Sequence, residues 1–541
     1  MNAVNSSESL WWREGVIYHI YLRSFADSNG DGLGDLPGLI AHLDHLNGNP
    51  DALGVDALWI SPPYPSPDED FGYDVADYHN IDPRYGTLSD FDRLISEAHK
   101  RGMRVMLDLV INHSSDLHPW FLESRASRHN PKRNWYLWRD ARSGGRPPNN
   151  WQSVFGGSAW EWDQTTHQYY YHMFLKGQPD LNWRNPAVRK ALMDMVRFWL
   201  DRGVDGFRLD VFNLWFKHPD LPDNPRRLGL RGFSRQHHLY DYDQPEMIDA
   251  LAELRTILDS YSQRAAIGET FGPDPRRAAS YCGDAKLHMA FSFKFTECPW
   301  QPTAFLKAIQ RWEKALEGVG WPCYVLSNHD KPCRHVSRYG GRHPDAVAKV
   351  AATLLLTLRG TPFLYYGEEI GMPNVPLRRS QLLDPASRRY WPFLSRDSGR
   401  APMQWDRSPN AGFTTGEPWL PVHHGYQDRN VAAQRKDPLS VFSFYRDLIR
   451  LRRRSLALRK GSFKSLTSHP TRGLAYLREA PKEQALIGLN FSHRPYRLRL
   501  DYDLIAEDWS MALSSLPDST SFIAGGELEL GPHEAVVFLR S

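Results

Sequence analysis

The chain of 541 residues carries 66 Lys and Arg against 63 Asp and Glu, and 41% of it is hydrophobic, so it can bury a large core and is not specially basic. Its 39 Gly and 39 Pro are scattered without period, which excludes collagen-like, disordered and coiled-coil classes. Four cysteines, none in a C-x-x-C pair, are too few for a disulfide framework and read as reduced structural thiols.

The start, MNAVNSSESLWWREG, lacks the charged head, apolar stretch and small-residue cleavage site of a secretory signal, so a cytoplasmic location is expected. Eight short apolar or β-branched runs follow, at 16–22, 57–61, 104–110, 205–209, 264–268, 289–293, 323–326 and 363–366. Helical patterns lie between them at 89–101, with Ser89 as the expected N-cap, and at 186–202, 245–261 and 345–358. Eight strands alternating with helices is the tally of a closed parallel barrel, although counting alone leaves a doubly wound sheet level with it. The segment 114–180 holds PPNNW, FGGSAWEW and QYYYHMF, and its alternation around 163–166 predicts a hairpin in an inserted β subdomain. A second long connection, 212–244, follows the fourth strand. A Pro-rich stretch leads to a helix at 440–454, and from 456 onward short strands and turns predict a separate all-β domain. The longest apolar stretch, 350–358, is about half a membrane span, so no crossing is expected.

In a parallel barrel, functional groups sit at the C-terminal ends of strands. Three acids end strand patterns there: Asp210 in GFRLD, Glu269 in AIGE and Asp330 in LSNHD. Arg208 precedes Asp210 by two residues, hence on the same face, where its cation favours an ionised carboxylate and makes Asp210 the nucleophile. Glu269, after an apolar strand and a glycine, suits the protonated role. One anionic and one protonated carboxyl is what cleavage of a glycosidic bond requires.

The stretches DLVINH (108–113), QPDLN (178–182), GFRLDVFN (206–213), GET (268–270) and SNHD (327–330), in this order, resemble the signature regions of the α-amylase superfamily, glycoside hydrolase family 13. GYDVADY (72–78) and RAPMQW (400–405) extend the resemblance to the oligo-1,6-glucosidase and α-glucosidase branch. The resemblance implies an α/β fold: a (β/α)8 TIM barrel over 1–113 and 181–455, an inserted β-rich domain B at 114–180 and a C-terminal β sandwich at 456–541. It implies retaining chemistry, with Asp210 as nucleophile, Glu269 as acid/base and Asp330 holding sugar hydroxyls. His113 and His329 are implied to bond the sugar, Tyr73 to offer it a ring face and Arg208 to orient Asp210. Asp74 and Arg400 are implied to grip the terminal glucose and close the pocket, which makes the action exo. Val211, after the nucleophile, accompanies α-1,6 activity in relatives. Cys333 separates Pro332 from Arg334 where relatives read NHD-x-Pro-Arg, which puts the place of that arginine in question.

The expected substrate is thus a short α-glucoside or oligosaccharide. A transglucosylase or isomerase, such as a trehalose synthase or sucrose isomerase, is the alternative on the same site. A non-catalytic relative lacks the acids that are present here. Asp27, Asn29, Asp31 and Asp35, with the Leu33 carbonyl, form the first part of a calcium loop, in which Gly38 stands where a bidentate Glu belongs. A structural Ca²⁺ or Mg²⁺ is expected there. The basic runs 226–235 and 446–460 read as solvated faces, so no nucleic-acid or membrane partner is expected. Monomer and homodimer both stay open.

Overall fold

The structure is a computed structural model that describes residues 10–230, 232–272, 274–391, 395–501 and 509–540. All eight expected strands form. They are β1 (Ile17–Ile20), β2 (Ala57–Ile60), β3 (Arg104–Leu109), β7 (Gly206–Leu209), β8 (Ala265–Gly268), β9 (Met289–Ala290), β10 (Cys323–Val325) and β11 (Thr361–Tyr365). The intervening numbers belong to the inserted strands β4 (Trp138–Arg139), β5 (Trp160–Asp163) and β6 (Gln168–Tyr171). The eight run parallel in the order β10-β11-β1-β2-β3-β7-β8-β9, and a parallel bridge from Phe291 to Cys323 joins the two ends. The fold is therefore the TIM barrel, and the tie with an open sheet is resolved by that closing pair.

Side chains alternate along each strand, and this parity builds the site. Ile17, Trp59, Met106, Ile267, Val325 and Phe363 fill the barrel interior as one buried cluster. Two residues further on the same faces stand His19, Asp108 and Glu269. On β7, Gly206 sits where a Cβ would lie 2.5 Å from the Ala265 carbonyl oxygen, so the strands approach closely below Arg208. The apolar lower barrel thus hands over to a charged upper rim within one turn of the pleat.

Helices cover the outside. Helix Leu88–Lys100 begins one residue before the expected Ser89 cap, because Thr87 and Asp90 form a reciprocal capping box. Helix Pro186–Asp201 is capped by Asn185, and helix Val441–Arg454 by Ser440. The apolar stretch 350–358 belongs to helix Pro344–Thr357, buried on nearly every face between helix Val441–Arg454 and the C-terminal sheet. Among the described residues no helix is long and apolar enough to cross a membrane.

The insertion carries the three-stranded sheet β4-β6-β5, whose β5–β6 hairpin lies at the expected place. Beyond the barrel, residues 456–460 are helical and the strands begin at Ser462. There β12 (Ser462–Ser465), β13 (Gly473–Ala480), β14 (Glu483–Asn490), β16 (Ser510–Ser514) and β19 (Ala535–Arg540) form one antiparallel sheet. A second sheet holds β15 (Tyr496–Arg499), β17 (Ile523–Ala524) and β18 (Glu527–Leu530). Leu477, Leu486, Leu528 and Phe538 pack between the two sheets.

Candidate active site

A cavity of about 460 Å³ opens at the C-terminal ends of the barrel strands. Asp210, Glu269 and Asp330 all line it, together with Tyr73, His113, Val211, Asp70 and Arg396. Arg208 lies beneath, fully buried. It donates to Asp108 at 2.5 Å, to Asp210 at 2.8 Å and to Glu269 Oε2, and its Nη2 is 3.9 Å from Asp330. One guanidinium is thus shared by four carboxylates, of which Asp210 is one.

Burial and this sharing together set the electrostatics. Burial pushes Asp210 up to about 7; Arg208 opposes the shift, while Asp108, Asp330 and Asp70 add to it by like-charge repulsion. The fork of Arg208 spans β7 and β8, so Glu269 receives as direct a cation contact as Asp210 does. Proximity to Arg208 therefore does not distinguish the two carboxyls. Asp108 takes no part in the cavity, because its second oxygen accepts from Trp59 Nε1 at 2.9 Å and Tyr73 OH at 3.1 Å.

Tyr73 stacks on His329 with ring centroids 5.2 Å apart, and its hydroxyl is 2.7 Å from His329 Nε2. His329 Nε2 also lies 3.2 Å from Asp330, so the histidine backs Asp330 from below. Burial and the cations Arg400, Arg208 and Arg396 hold His329 well below the usual imidazole range, and burial lowers His113 to about 4. Both rings are neutral near pH 7.

The expected Asp–Arg pair exists, four residues before each of the expected positions. Asp74 is fully buried and spends its oxygens on Ser66 Oγ and the Glu69 and Asp70 amides, shaping the loop rather than meeting a ligand. Arg400 is buried as well, with Nε donating to the His329 carbonyl at 2.8 Å and its guanidinium over Tyr21 and Phe71. Asp70 and Arg396 line the cavity instead, 3.0 Å apart. Arg396 reaches Asp330 at 3.3 Å and Asp384 at 2.5 Å, so the pair is continuous with the third catalytic-rim acid. Nothing in the spacing of Asp68, Glu69, Asp70 and Asp74 tells which acid the loop turns inward.

Other residues on the wall were also not legible from pattern. Phe155 and Phe174 come from the insertion, and Phe271 and Phe293 from the barrel. The conspicuous aromatics Trp151 and Trp160 are instead buried in the core of the insertion. Val211 lines the cavity in a left-handed conformation, φ 32°, an uncommon state for a β-branched residue. Arg334 points away, donating to the Tyr366 carbonyl and lying against Tyr365 and Tyr366, while Lys331 takes a place on the rim.

In the loop after β1, Asp27 accepts from the amides of Asn29, Gly30 and Gly32, Asn29 from Asp31, and Asp31 from Leu33. Asp35 caps the next helix through the Gly38 amide and also accepts from Ser28. Among the described residues no three acidic, His or Cys side chains converge as a metal site. The donor set is all oxygen, which matches a hard cation in kind, while Asp35 is committed to its cap.

Residues 19–461 match the alpha-amylase catalytic-domain family. The chain is 45% identical to a probable alpha-glucosidase of Rhizobium meliloti (strain 1021), with 89% of each covered. It is 41% identical to an oligo-1,6-glucosidase of Parageobacillus thermoglucosidasius, over 98% of this chain and 99% of that one. Its fold superposes on the crystal structure of an alpha-glucosyl transfer enzyme, XgtA, with a TM-score of 0.92 and 42% identity, over 99% of this chain and all of that one. With its barrel, its inserted β sheet and its three rim acids around one arginine, the chain belongs to the α-amylase family of glycoside hydrolases, in company with α-glucosidases and oligo-1,6-glucosidases.

Proposed function

We propose that this chain is an exo-acting, retaining α-glucosidase that releases glucose from the non-reducing ends of short oligosaccharides and α-glucosides. The observation that carries the reading is a single cavity in which Asp210, Glu269 and Asp330 surround one buried guanidinium, with the Asp70–Arg396 pair forming part of the wall. Asp210 attacks the anomeric carbon while Glu269 gives its proton to the departing glycosidic oxygen, leaving a glucosyl ester on Asp210. Glu269 then takes a proton from water, whose oxygen attacks the same carbon and frees Asp210 with configuration retained. Arg208 on Oε2 leaves Oε1 of Glu269 to carry that proton. Asp70, Arg396 and Asp330 offer charged partners to vicinal hydroxyls, and charge-assisted bonds discriminate steeply against a missing or substituted one.

Product analysis on maltose, isomaltose, trehalose, sucrose and maltotriose tests the reading. Release of α-glucose first, abolished in Asp210→Ala, is the expected result, and β-glucose as first product overturns it. Val211 favours α-1,6 or broad linkage acceptance, in keeping with the oligo-1,6-glucosidase relative. Val211→Thr is expected to shift kcat/KM toward maltose over isomaltose by a modest factor, of the order of ten-fold or less.

Transglucosylation is the second reading, favoured by the four phenylalanines on the wall, which suit an organic acceptor better than water. Transfer products at high substrate would establish it. A structural Ca²⁺ or Mg²⁺ at Asp27, Asn29, Asp31 and the Leu33 carbonyl is part of the same proposal, supported by the oxygen-only donor chemistry. A cytoplasmic location is proposed too, because four free cysteines suit a reducing compartment. Cell fractionation checks it.

A further inference from the structure

Lys217 lies seven residues beyond Asp210 and is 2% exposed. It does not line the cavity. Its ammonium donates to Asn112 Oδ1 at 3.1 Å, to the Leu214 carbonyl at 2.6 Å and to Asp180 Oδ2. Three parts of the molecule meet on this cation. Asn112 follows β3, Asp180 ends the insertion, and Leu214 closes the turn Phe212–Leu214 behind Asp210. Backbone bonds hold the first two together: Leu181 N donates to the Asn112 carbonyl, and His113 pairs with Asp180 in an antiparallel bridge.

An ammonium donates and never accepts. Asn112 therefore turns its oxygen to Lys217, and its Nδ2 donates to Asp180 Oδ2 at 2.9 Å and to His113 Nδ1 at 3.1 Å. His113 Nδ1 is thus an acceptor, so the neutral ring carries its proton on Nε2, where the Tyr73 carbonyl accepts it at 3.0 Å. Gln178 Nε2 also lies 3.2 Å from His113 Nε2, and its two protons go to Asp70 Oδ2 and the Tyr73 carbonyl, so it does not compete for that nitrogen's proton. The His113 ring lines the catalytic cavity.

We propose that Lys217 is a positioning residue that locks Asn112, and through it the His113 ring, while tying the insertion to the nucleophile's loop. Its effect on turnover rests on the glucosidase reading; the arrangement of His113 does not. In full-length protein labelled with [¹⁵N]histidine and free of substrate, His113 is assigned by its loss in His113→Gln. A pyrrole-type Nε2 and a pyridine-type Nδ1 are expected. A proton on Nδ1 would require Asn112 in the opposite orientation and overturns the proposal.

The kinetic arm is a double-mutant cycle of Lys217→Met, and the milder Lys217→Gln, with Asn112→Ala, read as kcat/KM of the folded fraction on p-nitrophenyl α-glucoside. Each single change is expected to lower kcat/KM at least ten-fold. The combination is expected to fall no further than the worse single change, because both act through one contact. Multiplicative losses, or wild-type kcat/KM in folded Lys217→Met or Lys217→Gln, overturn the proposal. A wild type that turns over no α-glucoside refutes the glucosidase reading instead, and the spectroscopic arm still decides the role of Lys217.

Discussion

Arg208 sets the charge balance of the site by lying among more carboxylates than it can neutralise. Burial, with the neighbouring carboxylates adding to it and Arg208 opposing it, raises the proton affinity of Asp210 to about 7, so its ionised form is penalised in the native state. For a carboxyl raised by folding, stability falls as pH rises from the unfolded value near 4 through 7 and is constant above. At about 1.4 kcal/mol for each tenfold change in proton affinity, the cost reaches at most about 4 kcal/mol. Asp210→Asn is therefore expected to melt above the wild type at pH 8, by a margin that shrinks as the pH is lowered toward 4, while losing nearly all activity. Calorimetry across pH checks this, and a margin independent of pH contradicts it. The same ionisation predicts an acid limb in the pH profile of kcat/KM near 7, well above an ordinary carboxylate. At the Asp70–Arg396 pair, Asp70→Asn keeps the shape and is expected to lower kcat/KM by roughly 10- to 150-fold, the value of a charge-assisted hydrogen bond at about 1.5–3 kcal/mol. An unchanged melting temperature would separate this from misfolding.

Among the elements, the loop after β1 shows how little of a ligand site a motif guarantees. Its alternating Asp and Asn side chains each accept an amide two residues on, which orders the turn by itself. Gly32, at φ +89°, packs so that a Cβ would lie 1.9 Å from the Glu417 carbonyl oxygen, so the loop is also pinned to the segment 414–419. If the proposed cation is held, chelation is expected to remove about one metal per chain and lower the melting temperature. A cation at 100 times its Kd contributes about 2.7 kcal/mol. A metal-free protein with an unchanged melting curve returns the loop to a plain set of Asx turns. Helix starts tell a related story: Asn185 and Ser440 cap their helices, and Thr87 displaces the expected Ser89 because its reciprocal bond with Asp90 satisfies two amides at once.

At the scale of the molecule, two buried arginines fasten the C-terminal domain to the barrel. Arg478, on β13, donates to the carbonyls of Thr357, Leu458, Gly461 and Ser462. Arg452 donates to those of Leu356, Leu458 and Gly360. They satisfy the last carbonyls of helix Pro344–Thr357 and of the helix at 456–460, which a buried junction leaves without water. Burial lowers Arg478 to about 9 and Arg452 to about 10. Arg478→Met is expected to destabilise the protein by about 1–3 kcal/mol for each carbonyl left without a donor, with kcat/KM of the folded enzyme unchanged. Thermal melts alongside kinetics check both halves.

The eight strands, the inserted hairpin and the three rim acids were legible in the sequence because each rests on local periodicity: apolar runs make strands, parity fixes the inward face, and a strand end fixes the rim. The Asp–Arg pair was legible in kind but not in position. Asp70 and Arg396 come from loops 326 residues apart, and which acid of a short acidic loop turns inward depends on amides that Asp74 alone collects. The sharing of Arg208 among four carboxylates, the phenylalanine wall and the closing Phe291–Cys323 bridge are long-range in the same way. The sequence thus carried the strands and, through its motifs, the family resemblance that implied the barrel and the chemical class of the site. Only the tertiary structure decided which charges meet, because burial and electrostatic sharing depend on neighbours that the chain brings together only on folding.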